Sequence, residues 1–281
     1  MFVDLHIHSN FSDGSDTCQQ ILNKSSENAV SLISITDHNT LCSIQSIKQL
    51  SNEYPDIKVI SGVELDAKFK NKGYHILGYG ISDSSRLRDL CEYNRKVQED
   101  FNSRLMELIC KEEKRVSMEE YERYEQPGNR GGWKLLNYLF DKKITEALLE
   151  GTKYYGIYGF DTNTIEFVSV KEACKAIRDS GGVPILAHPI ENIPYVGVER
   201  NFFNQITLLL KEGVEGVECI YPLHSELLER ELVQFCLDNN LYISGGTDYH
   251  GSFFNRQKQK IGGQFVREEM VSKLLERLFN Y

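Results

Sequence analysis

The sequence predicts an α/β, barrel-like domain interrupted by a helical insertion. Three observations carry this. Short apolar runs alternate with helical patterns along most of the 281 residues, the mark of parallel βαβ units. Six of the seven histidines stand at or just after the ends of those runs, several beside a carboxylate. Parallel barrels gather their active residues at the C-terminal ends of strands. Lastly, a charge-rich middle stretch breaks the rhythm.

The elements follow in order. Phe2-Val3-Asp4-Leu5 opens a first strand over residues 2–6, and a loop leads to a helix from about Thr17. Ser31-Leu32-Ile33-Ser34-Ile35 is the second strand, ending in Thr36-Asp37-His38, with a helix from about Thr40. Residues 57–62 form the third, ending near Glu64. Val63–Phe69 and Tyr74–Tyr79 flank Asn71-Lys72-Gly73, a turn sequence that predicts a hairpin. Strands return at Val183–His188, Val214–Ile220 and Leu241–Gly245, with helices near 171–180, 201–212, 224–239 and 267–279. Between the halves, Ser84 to about Gly151 is charge-rich and helical by pattern, broken by the loop Gln126–Gly132. We read 83–165 as the insertion, a substrate cap, and 1–82 with 166–281 as the barrel. Ordinary barrel helices are the alternative. There are no internal repeats or low-complexity tracts.

Composition narrows the function. A net charge of −9 argues against a general nucleic-acid binder, which needs basic surface to displace counterions. The seven cysteines include no Cys-x-x-Cys pair and are odd in number, so buried thiols in a reducing compartment are expected. No charged-then-apolar leader precedes the first strand, and no apolar run nears the ~20 residues that span a bilayer. The expectation is a cytoplasmic protein with no membrane partner.

His6 and His8 lie at positions i and i+2 of a strand, so both imidazoles face one point. Alone, such a pair is often polar surface. The other candidates also have plain readings: Asp13-Gly14 as a turn, Asp37 as a helix cap, Glu64 as a solvated strand residue, His75 at a strand edge, His188 before Pro189 in an extended loop, Asp248 and His250 in a polar loop. Together they are harder to dismiss. Six histidines and four carboxylates on one rim repel one another unless cations hold them. Ten such groups suit two or three ions. Mixed imidazole and carboxylate ligands favour Mn²⁺, Fe²⁺ or Zn²⁺. No cysteine joins the set, which disfavours a thiolate-type structural zinc.

Asp4-Leu5-His6-Ile7-His8-Ser9, Ser12-Asp13-Gly14, Ile35-Thr36-Asp37-His38, Gly62-Val63-Glu64, Ala187-His188-Pro189 and Gly246-Thr247-Asp248-Tyr249-His250 resemble the motifs of the polymerase and histidinol phosphatase (PHP) domain family, in order and spacing. The resemblance implies a distorted (β/α)₇ TIM-like barrel, a trinuclear metal site and phosphoester hydrolysis. It implies that His6, His8, Glu64 and Asp248 hold a first ion. Glu64 would bridge to a second, completed by His75 and His188, and Asp13, His38 and His250 would hold a third. Asp37 is expected to orient a ligand or cap a helix. Aspartate at 13, where many relatives have histidine, resembles the branch acting on nucleotides or oligonucleotide ends. In that branch an insert arginine reaches the substrate phosphate, and Arg130 occupies the matching place. The Gly131-Gly132-Trp133 that follows departs from the small residue and histidine common there, which puts the pocket's shape in question. Trp133 could stack on a base or belong to the core of the insert. His224, near the family's site, could touch phosphate or protonate a leaving group, or simply start a helix.

The implied chemistry is in-line attack by a hydroxide held between metals, with Asp13, His38 and Glu64 at its centre. Metal lowers the water pKa from about 15.7 toward about 7. No nucleotide-triphosphatase Gly-rich loop is present. The leading expectation is a metal-dependent phosphoesterase acting on a small phosphorylated substrate, a nucleotide or short oligonucleotide, without a stable long nucleic-acid complex. A 5′→3′ exonuclease on RNA or DNA ends is the alternative within the class. A catalytically silent metal-binding scaffold is the alternative outside it, and histidinol phosphate hydrolysis is a weaker reading.

Overall fold

The computed structural model describes residues 1–195, 200–253, 259–264 and 266–279. The barrel's first half runs β1 (Phe2–Ile7), α1 (Cys18–Glu27), β2 (Val30–Ile35), α2 (Cys42–Leu50), β3 (Lys58–Phe69) and β4 (Lys72–Tyr79). Then come α3 (Ser85–Glu112), α4 (Met118–Arg123), α5 (Lys134–Asp141), α6 (Lys153–Ile157) and α7 (Val170–Asp179). The second half is β5 (Val183–Leu186), α8 (Pro189–Asn192), α9 (Arg200–Lys211), β6 (Gly216–Ile220), α10 (Glu226–Asp238), β7 (Tyr242–Gly245), β8 (Val266–Arg267) and α11 (Ser272–Phe279).

Local chemistry sets several boundaries. Thr17 with Gln20, and Ser169 with Glu172, form capping boxes that start α1 and α7. Ser225 caps α10 through the Leu228 N–H. The predicted strands at 57–62 and 63–69 are one strand, β3. Gly62, at their junction, lets β3 pass close to β2: a Cβ there would lie 2.2 Å from Ser34 Oγ.

Among the described residues, eight strands follow the order β7-β6-β5-β4-β3-β2-β1-β8. Alternation pointed to parallel units; the sheet is mixed. The predicted hairpin reverses β4 against β3, and β5 then runs antiparallel to β4. The short β8, which sequence reading missed, pairs antiparallel with β1. The sheet curls into a nearly closed barrel as the segment after β7 reaches β1, through an Ile7–Tyr249 bridge and a 2.8 Å bond from His8 N to Tyr249 O. Buried Asp4 fastens this seam. It accepts from the Thr247 N–H at 2.9 Å and the Thr247 hydroxyl at 2.6 Å.

Side chains of the barrel strands and their flanking helices make the main core. The helices between β4 and α7 carry a separate core around Leu105, Ile109, Tyr121, Leu135 and Tyr138. All seven cysteines are free thiols, five of them buried, whereas Cys42 is exposed and Cys110 half-buried. Among the described residues, no helix is long and apolar enough to cross a membrane. Asp4→Ala should lower stability by about 2–3 kcal/mol, since it leaves the Thr247 N–H buried and unpaired. Urea denaturation would read this, and an unchanged midpoint would remove Asp4 from the seam.

Candidate metal centre

The C-terminal ends of the strands deliver their polar residues to one point. On β1, His6 and His8 share a face, and their Nε2 atoms lie 3.1 Å apart. Glu64 on β3 brings Oε2 to 3.1 Å from both nitrogens. Asp248 adds Oδ1 at 3.4 Å from His6 Nε2 and 3.1 Å from His8 Nε2. Glu64 Oε1 faces the other way, 3.1 Å from His75 Nδ1 and 3.0 Å from His188 Nε2, which are 3.3 Å from each other. A third group gathers His8, Asp13, His38 and His250, with His250 Nε2 3.3 Å from Asp13 Oδ2. His38 also approaches Glu64, at 3.4 Å from Oε2, so the third and first groups touch.

These separations fit coordination shells. Atoms bound at about 2.1 Å to one ion lie about 3.0–3.4 Å from one another at octahedral or tetrahedral angles. The donor set, imidazole and carboxylate without thiolate, suits divalent first-row ions. The ring nitrogens His8 Nδ1 and His38 Nδ1 are buried with no hydrogen-bond partner among the described residues. The cluster therefore fits a polynuclear metal site.

Residues behind the cluster aim it. His6 Nδ1 donates to Glu218 Oε1 at 2.9 Å, which leaves Nε2 free to face the first group. The other Glu218 oxygen accepts from the His188 N–H at 2.7 Å. Asp37 joins no ligand group. It accepts from the Ser9 N–H and the hydroxyls of Ser9 and Ser12, and so shapes the loop that carries Asp13. Asp66, two residues past Glu64 on the same strand face, lies 3.1 Å from His75 Nε2 and 3.6 Å from His38 Nδ1. Sequence reading missed Glu218 and Asp66. The i, i+2 spacing of Glu64 and Asp66 was the available signal for Asp66; Glu218 sits mid-strand and had none.

The charges depend on one another. Burial opposes a charged His38, but Glu64 and Asp13 outweigh it and raise its pKa to about 10. His250 rises to about 9 against the same penalty, through Asp13 and Asp248. Burial likewise favours neutral carboxyls, yet the imidazoles hold Asp13, Glu64 and Asp248 below the ordinary carboxylate range. Without an ion, imidazolium protons balance the carboxylates. A divalent cation takes their place and must displace them.

A cavity of about 600 Å³ opens above Asp13, His38, His75, His188, Asp248 and His250. Its far wall comes from α3 and from Gln126, Gly132, Trp133 and Lys134. Gly132 N donates to Asp13 O at 2.7 Å, and a Cβ on Gly131 would lie 2.7 Å from that same carbonyl oxygen. The glycines that replace the expected small residue and histidine thus let the insert's loop lie on the loop carrying Asp13. The structure does not bring Arg130 to the cavity lining. It pairs with Asp141 at 2.6 Å and lies over the Phe140 ring. Arg95 on α3 lines the cavity instead. His224 is buried off the cavity, its Nδ1 2.9 Å from Cys219 O.

A PHP domain model matches residues 4–159, more than half of the chain. The chain belongs to the PHP domain family. A phosphoribosyl 1,2-cyclic phosphate 1,2-diphosphodiesterase of Eggerthella lenta is 26% identical over 262 residues, covering 90% of this chain and 95% of that protein. A 5′-3′ exoribonuclease of Escherichia coli is 24% identical over 257 residues, covering 89% and 85%. Among solved structures, a Bifidobacterium adolescentis protein assigned as a metal-dependent phosphoesterase has the same fold, with a TM-score of 0.80 at 18% identity, covering 98% of this chain and 96% of that one. The mixed, nearly closed barrel is thus the PHP fold.

This PHP centre should give the metal-free protein a distinct pH response. His38 and His250 have folded-state pKa values of about 10 and about 9, above the unfolded value of about 6.5. Their stabilisation is complete below about pH 6.5 and is lost as pH rises through 9 to 10. Metal-free protein should therefore melt at a lower temperature at pH 10 than at pH 6.5, and Mn²⁺ should flatten that slope. Calorimetry at the two pH values checks this, and a flat metal-free profile would refute the charge balance.

Proposed function

We propose that this chain is a metal-dependent phosphoesterase that hydrolyses a phosphate ester of a nucleotide or short oligonucleotide. The observation that carries this is Glu64, whose two buried oxygens each belong to a different ligand group. A carboxylate so placed could serve two neighbouring ions, which would supply Lewis acidity to a phosphoryl group. The sugar-phosphate and ribonucleotide esters in the names of two relatives support the substrate class. The proposed ligands are His6, His8, Glu64 and Asp248 for one ion, Glu64, His75 and His188 for a second, and Asp13, His38 and His250 for a third. Mn²⁺, Fe²⁺ or Zn²⁺ fits this set. When bound, the ions supply Lewis acidity and make hydroxide available near neutral pH.

The chain's own residues do the rest. Glu218 fixes the tautomer of His6 and the backbone of His188. Asp37 holds the loop that places Asp13. Residues 83–165 act as the substrate cap, because α3 and Trp133 wall the cavity opposite the cluster. Arg95 takes the part expected of Arg130: among the described residues it is the arginine that lines the cavity, whereas Arg130 pairs with Asp141. A guanidinium there would offset charge on phosphoryl oxygens.

The 5′→3′ exonuclease reading draws on the Escherichia coli relative. The net charge of −9 favours the small substrate, and a polymer substrate would show affinity falling steeply with salt. A silent scaffold is disfavoured by the complete ligand set.

Purified protein should carry two or three ions by elemental analysis. With Mn²⁺ it should release phosphate or a nucleotide from a panel of nucleotides, bisphosphates and end-labelled oligonucleotides. His38→Ala should lower turnover by orders of magnitude while the fold survives. Fewer than two ions in folded, metal-supplied protein, or no turnover on any panel member, would defeat the reading. Arg95→Ala should raise KM about tenfold, the cost of one charge-assisted bond, and Arg130→Ala should leave KM within about twofold. The reverse pattern would restore Arg130.

A further inference from the structure

The cavity above the metal cluster has a side chamber. About 460 Å³ in volume, it shares Asp66, His75, Gln98, Asn102 and Trp133 with the main cavity, so the two are continuous. Its remaining walls come from residues 152–167, ahead of α7, with Gly73 of β4 and Asn192 of α8, and include Tyr155, Phe160 and Phe167. With Trp133, these rings give the chamber an aromatic side among otherwise mostly polar walls. The rings are held in place: Trp133 Nε1 donates to Tyr155 Oη at 3.0 Å, and the Tyr155 hydroxyl donates to Asn102 Oδ1 at 2.6 Å. Asn102 is 3% exposed, and its carbonyl is used by Tyr155. Its NH₂ remains a donor at the junction of the two chambers. Gln98 lies one turn earlier on the same face of α3, and among the described residues nothing hydrogen-bonds its amide.

Charge says what the chamber does not take. Among the described residues, no lysine or arginine lines it, and its carboxylates, Asp66 and Asp161, repel a second phosphate. Among the described residues, the cavity's lysine and arginine, Lys134 and Arg95, stand in the main chamber only. A neutral, planar group with donors and acceptors at its edge fits: rings for its faces, amides for its rim. We propose that this side chamber is a nucleobase site, which seats the base of a nucleotide whose phosphate lies at the metal cluster. This rests on the phosphoesterase reading and narrows it. The chamber would select nucleotides over sugar phosphates that lack a base.

Trp133 is the chain's only tryptophan and borders the chamber, so its fluorescence reports occupancy. Adenosine, guanosine, uridine and cytidine would each be titrated into Mn²⁺-loaded protein. In parallel, kcat/KM would be measured for AMP, GMP, UMP, CMP and ribose 5-phosphate. At least one nucleoside should quench Trp133 saturably, and its monophosphate should exceed ribose 5-phosphate in kcat/KM by about tenfold or more, the size of one base–aromatic stack. Gln98→Ala and Phe160→Leu should each reduce that ratio severalfold and weaken the quench. Absence of quenching by all four nucleosides overturns the base site, as does a ratio near one for every nucleotide. If neither nucleotides nor ribose 5-phosphate are hydrolysed, no rate ratio can be formed, and the phosphoesterase reading itself fails only if the bisphosphates and oligonucleotides of the wider panel are untouched as well. The quench then decides the base site alone: saturable quenching, weakened in both variants, supports it, and none overturns it.

Discussion

Everything at the strand ends answers to one buried carboxylate. Glu64 is fully enclosed and stands among five imidazoles. A lone charge so placed would be costly by several kcal/mol. The cluster meets that cost collectively, with imidazoles lowering the carboxylates and carboxylates raising the imidazoles. Such a balance has no local substitute. Removing one partner leaves another uncompensated, so the site is an all-or-none arrangement. The barrel supplies what the balance requires, strand ends that converge from both halves of the chain.

The backbone is bent to serve the same point. His188 and Asp248 have φ of +21° and +51°, a region unfavourable for residues with side chains. Such positions cost of order 1–3 kcal/mol each and persist only where the surroundings over-determine them. The surroundings do so here. Glu218 receives the His188 N–H, and Asp4 grips Thr247 immediately before Asp248. Asn39, also at positive φ, sits between Asp66 and Asn94 in a buried amide network that ties the second strand's end to α3. At these three positions the polar contacts beneath absorb the strain, whereas Ala29, Lys70, Lys143 and Asn240 take positive φ away from the cluster.

How much of this could be read from sequence depended on the kind of signal. Periodicity marked most strands and helices, because apolar runs and capping residues such as Thr17 and Ser169 are local facts. It could not reveal that β4 runs opposite to its neighbours on both sides, since strand direction is settled by pairing. Nor could it show β8, two residues long and held only by β1. At the site, the histidines declared themselves through their position at strand ends. Glu218 did not, because a glutamate within an apolar strand carries no mark of what it will face. Arg130 is placed otherwise for a related reason. Its motif position suggested phosphate, but in the fold it pairs with Asp141, eleven residues on, and Arg95 of α3 lines the cavity from a distance that sequence order conceals.

The contact between Gly132 and Asp13 joins two parts of the chain that would otherwise be separable. The helical stretch between β4 and α7 does not merely overhang the barrel: a main-chain hydrogen bond ties it to the loop that carries one of the cluster's own carboxylates. A loop two residues longer at 131–132, or one with side chains there, would lift off that carbonyl. Exchange of the insert for another of similar size would therefore alter the acid-and-imidazole geometry as well as the pocket. In such a chain, changes of substrate preference and of ion occupancy are inherited together.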